Sequence, residues 1–227
     1  LIENRKPTID AVLKNNADLG VAWDGDYDRC FFTDEKGDFK GAQCQINVHL
    51  AASFVPSLTL LSTWNGAGDV LEQKLSSVVG IEAPAKTGAV SYLANPAQPS
   101  VIMRVGPEEF WILEAKSGDQ SPHWRAHIPA DIGSVTDLSH ARCVIRVKSL
   151  VAGFNVSTML NKLYALDFRL EHFPVGQAKH TGHHHVPVLM HRLAENEFDI
   201  YAMTTYAYET LHQLFDASLE FGVKAEY

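Results

Sequence analysis

Cysteine is scarce in this chain and forms no metal-binding or redox pattern. The sequence of 227 residues contains three cysteines, Cys30, Cys44 and Cys143, and none of them are spaced as a CxxC motif. An odd number of widely separated cysteines argues against a disulfide framework. We therefore expect a reducing compartment, with the cytoplasm as the default location.

Long apolar runs and an excess of basic charge are also lacking. No stretch approaches the roughly eighteen apolar residues that a membrane-spanning helix needs, and we recognise no basic–apolar–small signal sequence. The net charge is −8, with the acidic residues scattered along the chain. Because no basic stripe is available to neutralise phosphates, we expect neither a nucleic-acid partner nor a membrane span.

What remains is the composition of an ordinary globular protein. Hydrophobic residues make up 46% of the chain and charged residues 20%, as in most folded domains. A chain of this length forms one large domain or two small ones, and either buries a core. It begins with Leu1 in the middle of a motif, so we expect a gene fragment or fusion, or a processed start.

The most distinctive motif is an acidic run near the start of the chain. Residues 24–29 read Asp-Gly-Asp-Tyr-Asp-Arg, which places carboxylates at Asp24, Asp26 and Asp28. Carboxylates at alternate positions of a glycine-containing turn can converge on a hard cation such as Mg²⁺. These three aspartates are the candidate metal ligands. A solvated acidic turn is the favoured alternative, because substrate phosphates normally complete a Mg²⁺ shell.

The acidic run and its flanks, residues 17–23 and 30–37, resemble one family. Residues 1–41 resemble the metal-binding loop region of phosphomannomutases and phosphoglucomutases. The resemblance implies Mg²⁺ ligation at the aspartates, with Arg29 near a sugar phosphate. A complete mutase also needs a phosphoserine loop, a sugar-recognition loop and a phosphate-binding domain, and we find no candidate for them after residue 41. We therefore expect a mutase-like fragment, too small for an independent domain.

Beyond residue 43 the pattern alternates between short strands and helices. Apolar residues at helical spacing predict helices, and alternating or β-branched runs predict strands. In the N-terminal segment the same patterns predict a helix over 8–16 and two strands over 19–23 and 30–33. The later helices are predicted over 65–80, 121–132, 156–166 and 205–221, and the later strands over 45–50, 101–105, 110–113, 143–147, 186–191 and 198–203, with an extended connection over 81–99.

An internal repeat underlies this order. Residues 104–112 align with residues 192–200, and Arg, Glu, Phe and Ile coincide at four of the nine positions. The repeat predicts a duplicated strand–helix–strand–strand–helix unit. We therefore predict an α+β fold of two tandem ferredoxin-like halves, 42–133 and 134–227, behind a short N-terminal appendage.

Several stretches between residues 43 and 223 are characteristic of a second family. They are Gln-Ile-Asn-Val at 45–48, Trp-Asn-Gly-Ala-Gly at 64–68, Arg-Val-Gly-Pro-Glu-Glu-Phe-Trp at 104–111, Val-Thr-Asp-Leu-Ser-His-Ala-Arg at 135–142, Phe-Pro-Val-Gly at 173–176, His-Val-Pro-Val-Leu-Met-His-Arg at 185–192 and Phe-Asp-Ile-Tyr at 198–201. Together they resemble the gamma subunit of heterotetrameric sarcosine oxidase. The resemblance implies a fold similar to the folate-binding aminomethyltransferase of glycine cleavage.

The same resemblance implies a role. In this family the small subunit carries no flavin, NAD or folate site. It packs on large subunits that hold FAD, FMN, NAD and tetrahydrofolate, in an enzyme that oxidises sarcosine to glycine and passes the one-carbon unit to tetrahydrofolate. We therefore assign no catalytic or cofactor-binding residue to this chain. Two alternatives stay open: a phosphomannomutase fragment that binds Mg²⁺ and a sugar phosphate, and a stand-alone folate binder, which needs a deep cleft with a carboxylate.

Two local clusters suggest chemistry that we do not favour. His183 and His185 would share one face of a strand and could chelate zinc or nickel, but a polar lead-in to the next strand is the favoured explanation. Asp137, Ser139 and His140 look like a hydrolytic triad, yet triad members usually converge from separate elements. We predict a turn in which Asp137 and Ser139 cap backbone N–H groups.

Overall fold

The computed structural model describes residues 6–23, 30–40, 46–64, 66–93 and 100–226. Its contacts divide the chain into two compact units, Leu1–Gln45 and Ile46–Tyr227. Among the described residues, every helix is too short or too polar for a membrane crossing.

The first unit is a helix packed on a small antiparallel sheet. Its elements are α1 (Lys6–Asn15), β1 (Leu19–Trp23), β2 (Cys30–Asp34) and β3 (Phe39–Lys40), with β2 in the middle of the sheet. The buried side chains of Val12 on α1 and Thr33 on β2 lie between the helix and the sheet. Gly20 permits the close approach, because a Cβ there would lie 2.4 Å from a methyl group of Val12. The predicted helix and strand pair are confirmed in this unit.

The second unit contains two larger sheets. Its elements in chain order are β4 (Val48–Phe54), β5 (Leu58–Thr63), α2 (Gly68–Val79), β6 (Val90–Leu93), β7 (Ser100–Gly106), β8 (Glu109–Leu113), α3 (Ser121–His127), β9 (Gly133–Asp137), β10 (Arg142–Ser149), α4 (Ser157–Leu160), β11 (Ala178–His183), β12 (Val186–Ala194), β13 (Glu197–Met203), α5 (Ala207–Ser218) and β14 (Val223–Glu226). The five-stranded sheet has the order β6-β7-β8-β5-β9 and the six-stranded sheet the order β11-β12-β13-β10-β4-β14.

Alternation along the strands builds three buried clusters. The first joins strand residues such as Ile145 to Leu214 of α5, and the second joins the five-stranded sheet to α2 and α3. The third contains Met103 and Trp111 from one sheet and Leu189 from the other. Because successive strand residues point to opposite faces, each sheet packs on helices with one face and on the other sheet with its second face.

The strand orders confirm the tandem α+β halves. The series β5, α2, β6, β7, β8, α3, β9 corresponds element by element to β10, α4, β11, β12, β13, α5, β14, and the two sheets have the same order once β4 is set aside. Each repeat has one strand more before its hairpin, and one more after its last helix, than the sequence predicts. The limits 42–133 and 134–227 stay a prediction. β9 crosses the limit between them and pairs with β5 of the first repeat, whereas β4 lies before the first repeat and pairs with β10 of the second.

The repeated arginines occupy equivalent positions. Arg104 donates to the carbonyls of Ala85 and Pro107, both at 2.7 Å, and Arg192 donates to that of Glu195 at 2.6 Å. In both repeats the strand pairing shifts register beside the arginine. The two guanidinium groups lie 5.1 and 5.0 Å from the ring centres of Phe110 and Phe198, within cation–π range. The identities that indicate the repeat are therefore residues of one local motif.

Two helices are shorter than the spacing predicts. The helix expected over 121–132 ends at His127, and Ile128 is extended, because a residue before proline avoids the α conformation. The helix expected over 156–166 is α for only four residues. Tighter i→i+3 hydrogen bonds follow it, from Lys162 to Met159 and from Leu163 to Leu160. Both predicted lengths are wrong.

Replacing Gly133 by alanine is expected to destabilise the fold by about 2–3 kcal/mol. A Cβ at Gly133 would lie 2.2 Å from the carbonyl oxygen of Ser62 on β5, so the two strands would have to separate. Urea unfolding measures the loss. Gly106→Ala is the matched control, since its Cβ would meet Glu109 at an ordinary 3.5 Å. Equal losses in the two variants would contradict the steric explanation.

Candidate functional site

A cleft between the two sheets is the candidate site. This inter-sheet cleft has a volume of about 410 Å³, within the range of small-molecule pockets. Its lining comes from both repeats and from the segment between β4 and β5. The lining residues are Ser53, Phe54, Val55, Pro56, Tyr92, Val101, Leu113, Glu114, Ala115, Val144, Arg146, His191, Leu193, Asp199 and Tyr201.

Strand register brings the polar residues of the cleft together. Asp199 lies on β13 directly opposite His191 of β12 and Arg146 of β10. Residues in register across a sheet share a face, so the three side chains form one row. Tyr201, two positions along β13, belongs to the same face.

Arg146 and Asp199 form a bidentate ion pair. Nε of Arg146 donates to Oδ1 of Asp199 at 2.7 Å and Nη2 donates to Oδ2 at 2.8 Å. The hydrogen bonds to Asp199 are the largest influence on the guanidinium and raise the pKa of Arg146 above its usual range. Asp199 is 5% exposed. Two donors on both carboxylate oxygens hold the arginine in one orientation.

A hydrogen bond between Tyr92 and His191 joins the two sheets across the cleft. The phenol oxygen of Tyr92 lies 2.8 Å from Nε2 of His191. Burial lowers the pKa of His191 to about 4, so its imidazole is neutral at pH 7. Burial, and to a lesser degree Asp199, raises the pKa of Tyr92. The pair is therefore neutral, and the phenol is not activated as a nucleophile.

The cleft has binding groups but no evident catalytic pair. Among the described residues, no group of three or more His, Cys, Asp or Glu side chains is arranged to hold a metal ion. The cleft does supply the carboxylate that a folate binder needs. Both oxygens of Asp199, however, already accept from Arg146. The arrangement suits recognition of a ligand better than proton transfer.

The predicted metal ligands Asp24, Asp26 and Asp28 lie outside the described residues, as does Arg29. The strands on either side of them are present, and Trp23 of β1 pairs with Cys30 of β2. Metal binding by these aspartates therefore stays a prediction.

The histidine run does not lie on one strand. His183 ends β11 and its Nδ1 lies 2.7 Å from the carbonyl oxygen of Leu163. His184 and His185 have φ values of 45° and 70°, which form the tight hairpin turn into β12. The shared face proposed for His183 and His185 is therefore wrong, because the chain reverses between them.

The predicted capping turn after β9 is confirmed. The Asp137 carboxylate accepts hydrogen bonds from the backbone N–H of Ser139 at 2.9 Å and from its hydroxyl at 2.6 Å. The Ser139 hydroxyl in turn accepts from the backbone N–H of Leu58 at 3.0 Å. His140 is exposed. These contacts fasten the turn between the two repeats and assemble no triad.

None of the polar residues of the cleft was predicted from the sequence to be a site residue. Asp199 carries the one available signal, because it interrupts the otherwise apolar strand Phe-Asp-Ile-Tyr-Ala. A carboxylate in such a strand needs a partner. The partner itself, Arg146, cannot be identified without the strand pairing.

Comparisons with known proteins find relatives for both parts of the chain. No family model matches. The sarcosine oxidase subunit gamma of Corynebacterium sp. strain U-96 is 26% identical over 148 residues, which are 65% of this chain and 69% of that subunit. The phosphomannomutase of Escherichia coli K12 is 59% identical over 39 residues, in the N-terminal segment. These are 17% of this chain, and they span only 9% of the mutase. Both predicted resemblances are confirmed.

Solved structures show the same fold. A chain of the heterotetrameric sarcosine oxidase from Corynebacterium sp. U-96 superposes with a TM-score of 0.64 at 23% identity, over 78% of this chain and 86% of that chain. The glycine cleavage aminomethyltransferase T from Bartonella henselae gives a TM-score of 0.56 at 15% identity, over 81% of this chain and 48% of that chain. The predicted aminomethyltransferase-like fold is confirmed.

Proposed function

We propose that this chain is a non-catalytic, gamma-type subunit of a sarcosine-oxidase-like complex in the cytoplasm. It packs on large subunits that hold FAD, FMN, NAD and tetrahydrofolate, and that oxidise sarcosine to glycine with transfer of the one-carbon unit to tetrahydrofolate. The observation that carries the proposal is the similarity to sarcosine oxidase gamma subunits over 148 residues.

The geometry of the cleft favours a partner-binding role over a catalytic one. His191 and Tyr92 are both neutral, and the Asp199 carboxylate is committed to Arg146. A general acid–base pair needs groups whose pKa values lie near the working pH. The cleft groups with shifted pKa values are displaced away from neutrality, which leaves the chemistry to other subunits.

Exposed aromatic side chains favour packing against a partner. Phe54 at the end of β4 and Tyr208 on α5 are each 80% exposed, and Trp64 is 50% exposed. Aromatic residues are enriched in protein interfaces, where they supply much of the binding energy. Trp64 is also held in place, since its indole N–H donates to the carbonyl of Ala130 at 2.9 Å.

The mutase-like unit is a proposal of a different kind. The chain spans 9% of the Escherichia coli mutase and 22% of the phosphomannomutase of Vibrio cholerae, to which it is 33% identical over 109 residues, so we propose no mutase activity for it. Weak Mg²⁺ binding at Asp24, Asp26 and Asp28 is retained as the alternative role of this segment. Calorimetric titration with Mg²⁺ and mannose phosphate tests it, and tight binding of the sugar phosphate would overturn the subunit proposal in favour of the mutase alternative.

Co-expression with the large subunits of a heterotetrameric sarcosine oxidase is expected to give one complex that co-elutes in size exclusion. A variant that begins at Ile46 should co-elute as well, because Ile46–Tyr227 is a compact unit. Phe54→Asp and Tyr208→Asp should each weaken assembly by at least about tenfold if their rings are buried by the partner.

Glu209→Gln, next to Tyr208 on α5, is the matched control, because it changes the surface charge and keeps every aromatic ring. Failure of the intact chain to co-elute with any large subunit would count against the proposal. Titration with tetrahydrofolate tests the alternative of a stand-alone folate binder, which stoichiometric binding by the isolated chain would support.

A further inference from the structure

The hydrogen-bonding capacity of Arg146 is only partly used. A guanidinium has five N–H donors, arranged so that two of its edges can each hold a planar group. Nε and Nη2 donate to Asp199, and Glu197 lies 3.6 Å from Nε on that same edge. Nη1 makes no hydrogen bond to any residue in the described part of the chain. One edge, formed by Nη1 and Nη2, is therefore open.

This open edge is fixed in place and accessible. The buried carboxylate of Asp199 holds the guanidinium in one orientation, while the Arg146 side chain is 46% exposed. A charged fork whose orientation is set before binding loses little freedom when a ligand arrives. Arg146 also lines the inter-sheet cleft, so the open edge is available to a molecule held there.

The apolar walls of the cleft favour a ligand with an apolar body. Apolar side chains line it from both sheets and from the segment between β4 and β5: Val55, Pro56, Val101, Leu113, Val144 and Leu193. Pockets with mostly apolar walls and a few placed polar groups bind small organic molecules. A ligand without an apolar portion would leave these walls in contact with water.

The unused groups of the cleft decide the charge of the ligand. Asp199 has both oxygens occupied, and Oε2 of Glu114 accepts from the indole N–H of Trp124 at 3.0 Å. Arg146 has N–H donors without a partner in the described part of the chain, and these call for an acceptor on the ligand. With two carboxylates beside one guanidinium, a dianion such as phosphate would be repelled more strongly than a single delocalised charge.

From these contacts we propose that the inter-sheet cleft binds a small organic monocarboxylate with an apolar body. Its carboxylate accepts two hydrogen bonds from the Nη1–Nη2 edge of Arg146, and its apolar part lies among the valines and leucines of the walls. The proposal does not depend on assembly with other subunits, because every residue that it uses belongs to one unit of this chain.

Phenylacetate is the probe, and phenylacetamide, of the same shape and without charge, is its matched control. Saturation-transfer NMR and calorimetry on the full chain are expected to show saturable binding of phenylacetate at millimolar concentration or below. The amide should bind at least about tenfold more weakly. The absence of saturable phenylacetate binding, or equal affinities for acid and amide, would overturn the proposal.

Two variants locate the binding. Arg146→Lys keeps the charge and removes the planar fork, and a loss of at least about tenfold is expected. Val101→Trp fills the cleft from β7 and leaves both residues of the ion pair unchanged, so it should abolish binding even if the arginine variant fails to fold. Circular dichroism establishes that each variant is folded. Unchanged affinity in a folded Val101→Trp variant would place the probe elsewhere and refute the assignment.

Discussion

Replacing Arg192 by methionine is expected to lower the free energy of unfolding by about 3–5 kcal/mol. The Arg192 guanidinium is buried and donates to the carbonyls of Phe168 at 2.8 Å, Phe173 at 2.6 Å and Glu195 at 2.6 Å. Methionine fills part of the volume but donates nothing. Two or three buried carbonyls would lose their partners, and each unsatisfied group costs about 1–3 kcal/mol.

Urea unfolding measures this loss, provided that the dependence of the free energy on urea concentration, the m-value, is the same in both proteins. Arg169→Met is the matched control, since the Arg169 side chain is 67% exposed and pairs with Asp167 at the surface. Its loss should stay below about 1 kcal/mol. Arg104→Met, at the equivalent position of the first repeat, should behave like Arg192→Met. If the Arg192 variant lost no more than the Arg169 variant, the buried arginine would not stabilise its repeat.

Acidification from pH 6.5 to pH 4 is expected to lower the free energy of unfolding by about 3 kcal/mol through His191 alone. Burial lowers the pKa of His191 from 6.5 to about 4 in the folded state. Between these two values the unfolded chain binds a proton at this residue and the folded chain does not. The unfolded state is therefore favoured as the pH falls, and stability rises with pH across the same window.

The measurement is a series of urea unfolding curves between pH 4 and pH 7. His191→Gln, which retains a hydrogen-bonding group opposite Tyr92, should flatten the pH dependence over that range. His140→Gln, at an exposed position, is the control and should leave the slope as it is. A wild-type slope that survives in the His191 variant would assign the pH dependence to other groups.

The sequence predicts the repeat well because the repeat is local. Arg104 and Phe110, like Arg192 and Phe198, are six residues apart and contact each other within one hairpin. The same identities that align the two segments make the two motifs fold alike. A short motif of this kind needs no knowledge of distant contacts.

Most of the strands that sequence reasoning missed in the second unit share a position in the fold. β6, β9, β11 and β14 are the four outer strands of the two large sheets. Outer strands pair on one side only and carry mixed polar residues, which also protect them from pairing with other chains. Their weak apolar alternation leaves little signal. The missed central strand, β5, is a run of apolar and hydroxyl residues that periodicity alone does not assign.

The cleft is beyond sequence reasoning for a related reason. Tyr92 and His191 come from different repeats, and Arg146 reaches Asp199 only through the pairing of β10 with β13. Apart from Asp199, which interrupts an apolar strand, each residue by itself looks like an ordinary position in the sequence. Only the registers of three strands place the groups in one row.

The position of β4 has a consequence for how the chain is made. This strand precedes the first repeat, yet it lies between β10 and β14 of the second. During synthesis β4 emerges before both of its neighbours, and β14 is the later of the two. Both edges of β4 are unpaired until β10 emerges, and one stays unpaired and open to other chains until β14 follows. The first repeat can complete its own sheet meanwhile, so we expect the ribosome-bound or truncated chain to be half folded and prone to aggregate through β4.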